Sequence, residues 1–175
     1  MRKIELDIDP KSIQNAIDEL KDYQDELNKK IKQFIQSLIE GGVVVAELCI
    51  SSTKGDSKLP DVDYTVDANG DIINATISII GEDVLFVEFG AGIAYNTGKQ
   101  HPKATELGYG PGTYPSKHPP NRALNPGFWF YSDHDSVGAT VRTRSIGTEA
   151  TMPAYHAAEN MRNEVIRKAV EVFRS

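Results

Sequence analysis

Glu88 is the residue whose setting in this sequence most invites chemistry. It follows the apolar residues 84–87 and is followed by Phe89 and the loop Gly90-Ala91-Gly92. A carboxylate at the end of a predicted strand, beside a glycine-rich loop, suits a catalytic acid, the edge of a phosphate-binding loop, or a structural corner. The surrounding residues decide among these three interpretations.

The glycines after Glu88 do not complete a nucleotide-binding motif. A dinucleotide fingerprint needs a third glycine where this sequence has Tyr95. A P-loop ending at Lys99 would need glycine at Ile93 and Ser or Thr at Gln100. We therefore expect no cofactor at this loop.

Catalysis by Glu88 would need a second acidic group close to it. Hydrolysis by paired carboxylates requires such a partner, and the sequence offers Glu47, Asp83 or Glu106. The single cysteine, Cys49, lies in an apolar run and has no helix-start setting that would activate its thiol. A small hydrolase that uses Glu88 stays open as an alternative.

A metal-dependent enzyme is a second form of the enzymatic alternative. His134 stands between Asp133 and Asp135, which could offer one imidazole and two carboxylates. Neighbouring side chains in a strand or turn point in different directions, so a polar hairpin tip explains these residues equally simply. We expect no bound metal.

Composition narrows the class of protein. The chain has 175 residues with 39% hydrophobic content and a net charge of −6, which predicts one domain over residues 1–175 without a broad basic surface for nucleic acid. One cysteine excludes an intrachain disulfide framework. The start of the chain is unlike a signal peptide, and we see no 18-residue apolar run, so we expect a protein of a reducing cytoplasm without membrane contact.

Apolar spacing predicts the first elements. Alternation of Ile4, Leu6 and Ile8 with charged residues predicts a short strand that ends at Pro10. A long amphipathic helix then follows, with Ser12 as its N-cap and Gly41-Gly42 as its end. Its apolar residues recur at nearly heptad spacing, with Gln24 as the polar interruption: Ile13, Ile17, Leu20, Leu27, Ile31, Phe34 and Leu38.

The middle of the chain predicts a strand meander. Residues 43–50, 62–66, 73–79 and 84–89 are apolar or alternating runs typical of strands. The turn signal Asn69-Gly70 separates the second run from the third. Glu88 would then be the last solvent-facing position of its strand.

Residues 93–150 are rich in glycine and proline, which predicts a long functional loop or interaction arm. Within it, residues 127–131 and 139–143 resemble two strands of a hairpin, with residues 132–135 at its turn. The aromatic run is larger than one face of a hairpin needs, so we expect either a second layer of the protein or an interface with another chain to cover the other face. Arg142 on the facing strand could stack on the exposed rings or meet an acidic partner. The aromatic residues are Phe128, Trp129, Phe130 and Tyr131.

The last element is a helix that starts near Thr151, with Pro153 in its first turn. The element order predicts an α+β fold in which a long N-terminal helix and a C-terminal helix pack on an antiparallel sheet of about four to six strands. The Gly/Pro-rich arm would protrude from this body.

Two segments carry a resemblance to a known family. Phe86-Val87-Glu88-Phe89-Gly90-Ala91 and the segment from Met152 to Ala158, which includes Pro153 and Tyr155, resemble motifs of tailed-phage minor tail or head–tail joining proteins. Ala91 stands where the family usually has a hydroxyl residue, and Ala157 where it often has proline.

The resemblance implies a structural virion protein of a siphophage or prophage, not an enzyme. It would act as an oligomeric ring at the head–tail junction, in tail completion or head–tail joining. Its partners would be copies of itself, the head connector and tail proteins, with DNA passing through without sequence-specific binding. Its location would be the virion, and the host cytoplasm during assembly. A regulatory or toxin-like prophage module is a further alternative.

Overall fold

The computed structural model describes residues 7, 9–69, 72–92, 100–107, 129–134, 138 and 140–174, with only the backbone described for 129–134 and 143. The predicted strand at Ile4, Leu6 and Ile8 lies outside these residues. Most of the Gly/Pro-rich arm lies outside them as well. The described elements define an α+β fold.

Helix α1 spans Pro10–Ser51, longer than the sequence predicted at both ends. Asp9, and not Ser12, is the N-cap: its side chain accepts hydrogen bonds from the backbone N–H groups of Lys11 and Ser12 at 2.9 and 3.1 Å. Pro10 occupies the first helical turn, where its missing N–H costs nothing.

Gly41-Gly42 does not end α1, and the predicted strand at 43–50 is wrong because the helix continues through it. A Cβ atom at Gly42 would come within 2.8 Å of Ile77 Cδ1 and 3.0 Å of the Met161 side chain. Glycine at position 42 therefore permits close packing against two other elements, and tertiary contact outweighs its low helix propensity.

Strands β1 (Asp61–Asn69) and β2 (Ile72–Ile80) form the predicted hairpin. The pairing is antiparallel, from Asp61 opposite Ile80 to Asn69 opposite Ile72. This confirms that the Asn69-Gly70 signal marks the connection between two strands.

The predicted strand at 84–89 is wrong, since Val84–Phe89 is the short helix α2. Short apolar runs fit either a buried strand or a buried helix turn, and periodicity alone cannot separate the two. Gly90 ends α2 with φ 79°, which confirms that this glycine takes a conformation most residues resist. A short helix, α3, follows at Ala104–Leu107.

Strands β3 (Trp129–His134) and β4 (Thr140–Ser145) form a second antiparallel hairpin. Trp129, Phe130 and Tyr131 lie on a strand as predicted, whereas β3 continues through residues 132–134, which the sequence placed in the turn. The described strands thus form two separate two-stranded sheets, not one sheet of four to six strands.

Helix α4 spans Pro153–Phe173 and confirms the predicted C-terminal helix. It runs antiparallel to α1, because Met161 lies against Gly42 while the ring of Phe173 lies 6.1 Å from that of Phe34. The second half of α1 also contacts β1 and β2. Ala16 apart, the buried residues of α1 lie in that half: Ile39, Gly42, Ala46 and Ile50.

Helix α1 is long and apolar enough to cross a membrane by length and composition, with a mean hydropathy of 1.5 over one 18-residue window. The sequence expectation of no such stretch is therefore too strict. The same composition fits a core helix, and the second half of α1 packs between α4 and the first hairpin.

Candidate functional site: a buried polar junction at the start of α4

Glu88 lies at the centre of a buried polar junction formed with His101 and the first turn of α4. Glu88 is 7% exposed, so its predicted solvent-facing position is wrong. Helix α2 positions it, and α2 is in turn held by the backbone N–H of Thr151, which donates to the Val87 carbonyl at 3.0 Å.

The Glu88 carboxylate caps α4. Its Oε2 atom accepts from the Ala154 N–H at 2.8 Å, and its Oε1 atom accepts from the Tyr155 N–H at 3.0 Å. Helix α4 needs this cap because Met152 precedes it in a left-handed conformation and supplies no side-chain bond of its own. A carboxylate at a helix N-terminus satisfies orphan N–H groups and complements the helix dipole.

His101 completes the junction. Its Nδ1 atom accepts the Lys103 N–H at 3.0 Å, so the ring proton sits on Nε2, which lies 3.2 Å from Glu88 Oε1 and donates to it. The imidazole also packs edge-on against Phe89, with ring centroids 4.6 Å apart, and against Tyr155 at 5.3 Å. Histidine and carboxylate therefore hold each other in fixed orientations.

Backbone and hydroxyl contacts extend the junction to the end of α1. The hydroxyls of Thr53 and Thr151 lie 2.8 Å apart, and those of Ser57 and Thr148 lie 2.6 Å apart. Thr148 also exchanges two backbone hydrogen bonds with Ala91, each 3.0 Å long. Three chain segments, 53–57, 87–92 and 145–152, are thereby joined.

Gly147 is required where these segments cross. Its φ is 114°, and a Cβ atom there would meet the Ala91 carbonyl oxygen at 2.2 Å. Any other residue would strain the backbone and collide with a rigid neighbour. Glycine at position 147 therefore permits the close approach of the backbone segments that contain Ala91 and Thr148.

This geometry supports a structural role for Glu88 over a catalytic one. Both carboxylate oxygens accept hydrogen bonds, and the groups that donate them are two backbone amides and one imidazole. Of the proposed partner acids, Glu47 and Glu106 are exposed. The third, Asp83, accepts the Lys58 N–H at 2.8 Å. Little carboxylate surface remains for a substrate.

Cys49 does not supply an activated nucleophile beside the junction. Its thiol is partly buried, and desolvation, followed by the negative charge of Glu88, raises its pKa above the ordinary value. The thiolate is therefore disfavoured near neutral pH. No group of three or more His, Cys, Asp or Glu side chains among the described residues is arranged to hold a metal ion.

The open groove between α1 and α4 does not reach Glu88. It is lined by polar and charged residues, including Asn160, Glu164, Arg167 and Lys168, along with Leu38 and Val44 of α1. Arg167 forms ion pairs with Glu164 and Glu171 on its own helix, and hydrogen bonding to Glu164 is the main cause of its raised pKa. The groove is therefore a surface feature of the helix pair.

The remaining predicted site residues fall in two places. Phe89, Gly90, Pro153 and Tyr155 belong to the polar junction, where Pro153 is fully buried. Arg142 lies on β4 with an exposed side chain. Phe128 and the side chains of Trp129, Phe130, Tyr131 and His134 lie outside the described part of the structure.

The sequence did not reveal the part played by His101 or by the paired hydroxyls. His101 follows a Gly-rich stretch and shows no spacing to Glu88 that a motif would capture. A buried carboxylate needs hydrogen-bond donors, but the sequence alone does not indicate that His101 donates to Glu88.

Comparison with protein-family models, curated proteins and solved structures finds no match for this chain.

Proposed function

We propose that the chain is a structural subunit of a tailed-phage or prophage virion, which acts in an oligomeric ring at the head–tail junction. The observation that carries this proposal is the contact between Glu88 and the first turn of α4. It joins the two segments that resemble the junction family, although 66 residues separate Glu88 from Ala154.

A junction subunit needs a body that keeps its shape while neighbours attach. The fully hydrogen-bonded Glu88 supports this requirement better than it supports catalysis, because a catalytic acid must present an oxygen to its substrate. The described residues also leave no buried side-chain polar atom without a hydrogen-bond partner. Both features favour a rigid framework.

A wider sheet and the Gly/Pro-rich arm over residues 93–150 are finer parts of this proposal. Within the described residues, β1 and β2 pair only with each other, so each has an outer edge that a neighbouring subunit can extend. Residues Phe128, Trp129, Phe130, Tyr131 and Arg142 would belong to the contacting arm. DNA would pass through the ring without sequence-specific contact.

Assembly can be tested directly with purified components. The chain would be mixed with the connector and tail-tube proteins encoded beside its gene, and complexes would be measured by light scattering and electron microscopy. We expect a defined complex with one of them. A chain that binds neither protein, under conditions in which each is correctly folded, would refute the junction role.

A Glu88→Gln variant separates the structural role from the enzymatic alternative. Glutamine keeps one acceptor oxygen, so the variant should fold and retain partial binding. If the wild-type chain instead hydrolyses a test substrate and Glu88→Gln abolishes that activity at unchanged stability, the catalytic alternative is correct.

A further inference from the structure

The two ends of the Gly/Pro-rich arm are held to the body of the protein in different ways. Toward its C-terminal end, residues 145–149 exchange four backbone hydrogen bonds of 2.7 to 3.2 Å with Lys54, Asp56 and Ala91. Backbone hydrogen bonds spread over several residues do not depend on any single side chain. This end of the arm is therefore fixed to the body by several independent contacts.

Toward its N-terminal end the arm is held in another way. In residues 100–107, which we name the arm root, only His101 and Ala104 are buried, at 8% and 1% exposed. The backbone N–H groups of Ala104 and Leu107 donate to carbonyls inside the root. Within the part of the chain that the structure describes, the contact of His101 Nε2 with Glu88 Oε1, at 3.2 Å, is the one hydrogen bond that joins the root to the body.

The same Glu88 oxygen also serves α4. Oε1 accepts the Tyr155 N–H at 3.0 Å as well as the His101 proton, while Oε2 accepts from Ala154. Two donors on one oxygen restrict the orientation of the carboxylate, so each bond helps to hold Glu88 where the other bond needs it. The imidazole also packs on the Tyr155 ring, with centroids 5.3 Å apart. His101 therefore contacts the first turn of α4 through Glu88 and through Tyr155.

Loss of His101 from the polar junction would change the state of Glu88. The buried carboxylate would lose one of its three donors, and an unmet acceptor in a buried position is costly. The side chain would gain freedom to turn away from the Ala154 and Tyr155 N–H groups. Because Met152 supplies no side-chain cap, the first turn of α4 would then fray while the rest of the helix stays packed on α1.

We propose that His101 is a latch that couples the arm root to the first turn of α4. A neighbouring subunit that draws the root away from the body loosens the start of α4, and an intact α4 cap favours the seated root. Coupling between two sites is reciprocal, so its free energy is the same in both directions. The latch rests on the proposed function in taking the arm to be the surface that a neighbouring subunit binds.

Amide hydrogen exchange, followed by NMR at Ala154 and Tyr155, tests the latch. His101→Phe keeps an aromatic ring in the junction but cannot donate to Glu88. Exchange at the two amides should accelerate about 10-fold, as expected for the loss of a hydrogen bond to a charged group. His101→Gln restores a donor toward Glu88 and should bring exchange back to within about 3-fold of the wild-type rate.

Two controls separate the latch from a general loss of stability. Thr105→Ala changes an exposed side chain of the same root and should leave the α4 amides unchanged. Ile39→Ala removes a buried side chain of α1 and should accelerate exchange along the whole of α4. If His101→Phe gives this uniform pattern, or leaves Ala154 and Tyr155 at the wild-type rate, His101 has only a structural role and the latch is wrong.

A double-mutant cycle tests whether the effect passes through Glu88. Glu88→Ala should accelerate exchange at Ala104 and Leu107 in the root as well as at the start of α4. In the Glu88→Ala background, His101→Phe should change exchange at Ala154 by less than about 2-fold, because the contact that transmits its effect is already gone. Fully additive effects of the two changes would mean that root and helix open independently, which would overturn the proposal.

The latch and the junction role can fail separately. A chain that binds a connector or tail protein but shows no coupling between root and helix refutes the latch and keeps the junction role. Coupling in a chain that binds neither protein keeps the latch and refutes the junction role.

Discussion

The two halves of α1 carry apolar residues at similar spacing but lie in different surroundings. After Phe34 the helix packs against α4 and the first hairpin, and Ile39 is only 2% exposed. Before Phe34 the same stripe faces solvent, and Leu20 is 54% exposed. A heptad stripe thus indicates that a helix needs a packing partner. Whether the same chain supplies that partner depends on the rest of the fold.

Truncating one apolar side chain in each half of α1 should give the largest difference in the free energy of unfolding. Ile39→Ala removes a fully packed side chain and should lower the free energy of unfolding by about 4 kcal/mol. Leu20→Ala removes an exposed one and should change it by less than about 0.5 kcal/mol in dilute solution. Urea denaturation followed by circular dichroism measures both, and equal losses would show that the halves are equally packed.

The polar junction should be almost as sensitive as the core. Glu88→Ala leaves the Ala154 and Tyr155 N–H groups and the His101 proton without an acceptor, which should cost about 3 kcal/mol. The melting temperature should fall by roughly 10 °C. Glu88→Gln should lose about half as much, because one acceptor oxygen remains.

Exposed Glu47→Ala, on the second half of α1, is the control for these variants and should leave the melting temperature unchanged. Sedimentation would show whether assembly is affected together with folding. If Glu88→Ala melts at the wild-type temperature, the capping role of Glu88 is wrong.

The adjacent glycines of α1 should respond in opposite directions. Gly42→Leu has no space beside Ile77 and Met161 and should destabilise the fold by about 2 kcal/mol. At Gly41 an added Cβ would meet only Asn160 Oδ1 at 3.7 Å, so Gly41→Ala should stabilise the fold by about 0.7 kcal/mol through helix propensity. Thermal melts that show the same sign for both would contradict the packing at Gly42.

The smallest expected effect concerns Cys49 and pH. Because burial and the charge of Glu88 raise its pKa in the folded state, the neutral thiol contributes stability that is fully present below the pKa of the unfolded chain. That contribution is lost as pH rises through the folded-state pKa. Urea denaturation between pH 7 and the alkaline range should show this loss, and Cys49→Ala should remove it.

Local patterns predicted the elements that are determined by nearby residues. The Asn69-Gly70 signal marked the first hairpin, and Pro153 marked the start of α4. The stripe from Ile13 to Leu38 correctly predicted helix. In each case the turn or helix preference of a few neighbouring residues agrees with the final fold.

Predictions failed where contacts between residues far apart in the sequence determine the local structure. Gly41-Gly42 looks like a helix end, yet packing on Ile77 and Met161 makes Gly42 an interior residue. The apolar run at residues 84–89 fits either a strand or a helix, and the packing of these residues against α4 favours the helix. Glu88 was expected at a solvent-facing strand end, yet it is buried and accepts from the N–H groups of Ala154 and Tyr155, which no local pattern indicates.

The polar junction has a consequence for the order in which the chain folds. Its contacts close long loops: 66 residues separate Glu88 from Ala154, 91 separate Ser57 from Thr148, and 98 separate Thr53 from Thr151. Long-range contacts are costly in chain entropy and form late. We expect the first hairpin and α1 to form early, and Glu88→Gln to accelerate unfolding in stopped-flow measurements while leaving the refolding rate nearly unchanged.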